Sequence, residues 1–322
     1  MERVSGEEQI KAALAAARHL EAARRQRQYQ ARPTRLRLPA DRRQLQQRLA
    51  RAVAGAGIDA DAWEAQLERS RANADRRLQE AKEDAVRHSG ERARKLGADV
   101  DGRRQVLDLL AGPGRTDYVA LDHPFLILPT ARIAVPDSSI APWSSRARAT
   151  FEHPGMGPGD DLGVAGTEEL SFYYLWENAA DGYAVVTIDG FLTLNGFCAA
   201  RSSGAFLGGS SSTLGLHAVL EVFEWWNQPA TTPLPQDGQR LPVVWFTADS
   251  TGWFDDDDTE YALVFRGFDL RYEQLAVPPH GVLVAEVLLS IYYNLGFGSV
   301  SADFASGEFN VGSPFVQLAV LR

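Results

Sequence analysis

From Leu283 to Leu295 every second residue is apolar: Leu283, Ala285, Val287, Leu289, Ile291, Tyr293 and Leu295. A period of two belongs to an extended strand, whose side chains alternate between faces; a helix would scatter the same residues around its circumference. The opposite parity carries Glu286, Ser290 and Asn294 among further apolar residues. A strand of this kind rests one face on a core and wets the other only in part. The chain must therefore supply other strands to make that core.

It does. In 184–198, Ala184, Val186, Ile188, Leu192, Leu194 and Cys198 share one parity, and Thr187, Asp189, Thr193 and Asn195 the other. Asp189-Gly190 reads as a turn or bulge within the run. In 214–226, Leu214, Leu216, Ala218, Leu220, Val222 and Trp226 align. Further strands are expected at 125–133, 146–152, 169–177, 241–248, 260–272, 298–304 and 315–321, the last inside a sheet. About ten strands joined by Gly-, Pro-, Ser- and Asp-rich loops predict an antiparallel sandwich, and their length favours a jelly-roll-like one. Cys198, the only cysteine, excludes an intrachain disulfide and reads as a small buried hydrophobe.

Ahead of the strands the period is helical. A first helix over about 7–28 has its stripe at Ile10, Leu14 and Ala17. A second follows Pro39, with Leu45, Leu49 and Val53, and ends at Gly55-Ala56-Gly57. A third is expected from Asp59 or Asp61 to Leu96, closed by Gly97, with Trp63, Leu67, Ala74, Leu78, Ala81 and Ala85 on one side. At 1.5 Å per residue it would reach about 60 Å. Its apolar face is thin and mostly alanine, so it needs a partner surface, expected in an antiparallel hairpin or an intersubunit bundle. The expected class is α+β in two parts: a helical assembly region (1–111), a linker (112–117) and an all-β sandwich domain (118–322).

The two parts differ in charge. Residues 1–110 hold 24 of the 33 Lys and Arg and 17 of the 42 Asp and Glu, a net of +7, which leaves −16 for the remainder. The positive charge peaks at Arg24, Arg25, Arg27, Arg32, Arg35, Arg37, Arg42, Arg43, Arg48 and Arg51, where Asp41 is the one acid. Arginine forks suit carboxylate or phosphate. The segment is thus a candidate surface for subunit pairing and, as an alternative, for nucleic acid.

Catalytic signatures are absent. The six histidines form no HExxH or other ligand spacing, and no G-x-S-x-G occurs. Asp255, Asp256, Asp257 and Asp258 could offer oxygen ligands to calcium, although not at EF-hand spacing. Six of the seven tryptophans, Trp143, Trp176, Trp225, Trp226, Trp245 and Trp253, fall among the strands and are core material first. Adjacent Trp225 and Trp226 must face opposite ways, which makes them, with Trp253, candidate subunit or sugar contacts.

A helical stem carrying a β head resembles, in architecture alone, the fibre, capsid-type and receptor-binding proteins of viruses and phage-derived particles. The resemblance implies a non-enzymatic, homo-oligomeric structural protein of a particle, shell or fibre. The alternative is a lectin-like or receptor-binding module with a glycan partner; a glycan-active enzyme on a sandwich scaffold ranks below both. No secretory leader or membrane span is visible, so cytoplasmic synthesis is expected, with release as part of a particle if the protein acts outside the cell.

Overall fold

The computed structural model describes residues 60–110, 116–136, 141–153, 164–202, 210–225, 234–250, 258–296 and 298–321, with 55 and 57. The two helices expected before residue 55 lie outside this range. Helices α1 (Ala60–Arg87) and α2 (Ser89–Leu110) precede strands β1 (Thr116–Leu121), β2 (Leu126–Pro129), β3 (Ser144–Ser145), β4 (Ala147–His153) and β5 (Val164–Glu177). There follow β6 (Ala184–Ser202), β7 (Ser210–Trp225), β8 (Leu234–Ser250), β9 (Asp258–Val277) and β10 (Val282–Leu295). The series ends with β11 (Gly298–Phe304), β12 (Asn310–Gly312) and β13 (Val316–Leu321).

The strands form the two sheets of an antiparallel sandwich. One has five strands in the order β2-β5-β10-β7-β8. The other has eight and is organised around β6. Along one edge β6 pairs with β9 over nearly its full length. Along the other edge three short strands lie end to end: β13 against Val185–Gly190, β12 against Thr193–Asn195 and β11 against Phe197–Ser202. β1, β3 and β4 then pair with β13, β12 and β11. From β4 to β11 the chain order thus falls as 4-11-6-9 in one sheet and 5-10-7-8 in the other.

The alternation in β10 does what its pattern dictates: Leu283, Ala285, Val287, Leu289, Ile291, Tyr293 and Leu295 all enter the core between the sheets. They meet Leu214, Leu216, Ala218, Leu220 and Val222 of β7 and Val186, Ile188, Leu192, Leu194 and Cys198 of β6. Tyr174, also buried, donates to the Ser313 carbonyl and lies 3.0 Å from its hydroxyl. Asp189-Gly190 is neither turn nor break; β6 runs through it, and its irregularity against β9 falls between Val186 and Ile188. β13 lies inside its sheet, between β1 and β6.

The helices depart from expectation. α1 and α2 meet at His88 instead of forming one rod or a hairpin. Ser89, buried inside the turn, donates its hydroxyl to the Val86 carbonyl at 2.6 Å, a back-bond that bends helices. α2 then runs through Gly97, expected as a stop, and on to Leu110. Leu96 and Val100, one turn apart, are buried on its inner face, and that packing outweighs the roughly 1 kcal/mol cost of a helical glycine.

The surface they cover is the outer face of the β6 sheet. Leu78, Ala81, Ala85 and Val86 of α1 meet Phe197, Ala199 and Phe309; Val100 of α2 meets Phe191 and Phe315. Polar ties follow the same line. Arg201 pairs with Asp75, Asn195 donates to the Ser89 carbonyl at 3.2 Å, and Arg103 clasps Asp269, with Nη2 to Oδ2 at 3.0 Å. The thin stripe of α1 therefore finds its partner within the chain, on a sheet; no helical bundle is formed by the described residues.

One ionic pin holds α1 down. The Asp303 carboxylate, 3% exposed, lies 2.6 Å from Lys82 Nζ. It also accepts from the Ser306 hydroxyl at 2.7 Å and the Ala305 amide at 2.9 Å. Burial by itself would raise its pKa, but these donors outweigh burial and hold it at about 2. A carboxylate held below its ordinary value stabilises the fold above the unfolded-state pKa and loses that contribution as pH falls toward 2.

Two predictions follow from this packing. Asp303→Asn should destabilise the protein by about 2 kcal/mol at pH 7. It should also flatten the decline in stability between roughly pH 4 and 2, as read by urea unfolding at several pH values. Leu289→Asp, which buries an unpaired charge in the core, should cost more than about 4 kcal/mol and abolish cooperative thermal unfolding by circular dichroism.

Candidate functional site

The outer face of the five-stranded sheet is set by register. Tyr292 of β10 lies opposite Thr167 of β5 and Gly215 of β7, and Gly215 lies opposite Trp245 of β8. The parity that sends Tyr293 and Leu214 inward sends Tyr292, Gly215 and Trp245 outward. Gly215 has no side chain, so the two aromatic residues flanking it meet above its backbone. Their rings are stacked at 5.2 Å between centroids and 12° between planes. A methyl group on residue 215 would overlap the indole. Trp245 is 57% exposed, the most open tryptophan among the described residues.

Polar side chains frame this platform. On one side Thr213 and Thr247 share a hydrogen bond of 2.9 Å, with Asn294 opposite Thr213 in the register. On the other, His217 meets the Trp245 ring edge-on at 6.0 Å, and Arg240 donates to the Ser290 hydroxyl at 3.1 Å. Burial, reinforced by the Arg240 charge, lowers the His217 pKa below its ordinary value, so its imidazole is neutral at pH 7. Further along the same face Tyr173, Phe223 and Val284 form a buried apolar cluster with Phe125, Leu126, Leu128, Leu175 and Val282. The face thus grades from an apolar end to an aromatic surface with hydrogen-bonding groups on both sides.

In the sequence Trp245 falls among the tryptophans expected in the core. Its own strand carries the signal that sets it apart: Val244, Phe246 and Ala248 turn to the core, while Trp245, Thr247 and Asp249 share the other parity. Of the aromatic contacts expected, Trp225 ends β7, and Trp226 and Trp253 lie outside the described residues. So do Asp255, Asp256 and Asp257, and all ten arginines from Arg24 to Arg51. Asp258 opens β9, and its carboxylate accepts from the Asp249 amide at 2.7 Å, tying the ends of β8 and β9 together. Among the described residues no group of three His, Cys, Asp or Glu is placed to hold a metal ion. No helix among them is long and apolar enough to cross a membrane.

No protein-family model matches the chain, and no curated protein matches it. Among solved structures, the carbohydrate-binding module TmCBM61 in complex with β-1,4-galactotriose aligns at 9% identity and a TM-score of 0.22, covering 60% of this chain and 86% of that one. TmCBM27, a carbohydrate-binding module that recognises mannan, aligns at 10% identity and 0.21, covering 64% and 96%. The enzymatically active domain of tailspike protein 4 of bacteriophage CBA120 aligns at 8% identity and 0.15, covering 62% and 20%. None of these TM-scores establishes a shared fold.

The geometry of the platform can be tested directly. Gly215→Ala should push the indole off Tyr292 and remove much of the Trp–Tyr coupling from the near-UV circular dichroism spectrum. The cost in stability should stay at about 1–3 kcal/mol, the range for overpacking, because Trp245 has solvent to move into.

Proposed function

We propose that the sandwich is a jelly roll and that the outer face of its five-stranded sheet binds glycans. The observation that carries this reading is the indole of Trp245, lying over Gly215 in a stack with Tyr292 and largely open to solvent. An aromatic face bears partial negative charge, and the C–H-rich face of a pyranose is apolar with slight positive charge, so the two stack. Hydroxyls around the sugar's rim then need partners at both edges. Thr213, Thr247 and Asn294 supply them on one side, and His217 and Arg240 on the other. A few polar groups around an apolar contact fix orientation, which is the usual division of labour in small-ligand sites.

This ranks ahead of the self-assembling structural reading on a specific ground. That reading draws on the thin apolar face of the long helix and on the opposite charges of the two parts, and the first of these is met within the chain, where α1 and α2 are covered by the outer face of the β6 sheet. With the helices on that face, the opposite face of the sandwich presents Trp245, 57% exposed.

The test is binding on a glycan array followed by calorimetry with the best ligand. Trp245→Ala should weaken binding at least about tenfold, equivalent to roughly 1.4 kcal/mol, while leaving the melting temperature near that of the parent. Unchanged affinity in that variant, or an array without retained glycans, would remove the platform from consideration.

A further inference from the structure

We draw no further inference here: the strongest candidate, the exposed apolar patch on the outer face of the β6 sheet where Tyr118, Leu321 and Val185 lie on the neighbouring strands β1, β13 and β6, carries nothing because nothing in the structure shows what covers it.

Discussion

The fold hangs on β6, a strand that must be buried on both faces. Its even-numbered residues, from Ala184 through Ile188 and Leu194 to Ala200, feed the core of the sandwich. Its odd-numbered residues meet the helices in order: Arg201 with Asp75, Phe197 and Ala199 with Ala85, Asn195 with Ser89, Phe191 with Val100. The helices descend in sequence as the strand ascends, so α1 and α2 run along β6 as a cover. This commits one outer face of the sandwich to structure. The outer face of the five-stranded sheet presents Trp245, the most exposed tryptophan among the described residues, and the candidate site lies there.

The strands were legible because their apolar parity is uninterrupted. Val282–Leu295 and Gly298–Phe304 fall where the alternation places them, and Cys198 is buried as a lone small hydrophobe in such a run should be. The second parity of β6 is mixed, with Thr187, Asp189, Thr193 and Asn195 on it, and does not announce its burial. The same parity holds Phe191, Phe197 and Ala199, residues that ask for a second cover. Asn195 can be buried because its amide donates to the carbonyls of Ser89 and Glu308. Gly97 misled for a related reason: a local stop signal yields when Leu96 and Val100 gain a sheet to pack on. β1, β3 and β12 are too short or too mixed in pattern to announce themselves.

The site was less legible than the fold. Adjacency in sequence points to Trp225 and Trp226, with Trp253 beside them, and not to Trp245. The informative coincidence is instead a glycine on β7 facing an outward tryptophan on β8 and an outward tyrosine on β10. That coincidence requires the register of three strands, two of which are neighbours only across a long connection. Parity shows which way a side chain points, but not which side chains lie across from it.

The tiling of three short strands along one edge of β6 has a consequence for how the chain comes to be folded. β6 is complete as a segment long before β11, β12 and β13 are translated, and β1 must wait for β13, some two hundred residues further on. Until then one edge of a long apolar strand is an open template for the wrong neighbour. Closure of so distant a pairing is slow, because loop entropy is lost before the contacts repay it. The α1–α2 cover over Phe191 and Phe197 protects the outer face of β6 but leaves that edge to strands from the end of the chain.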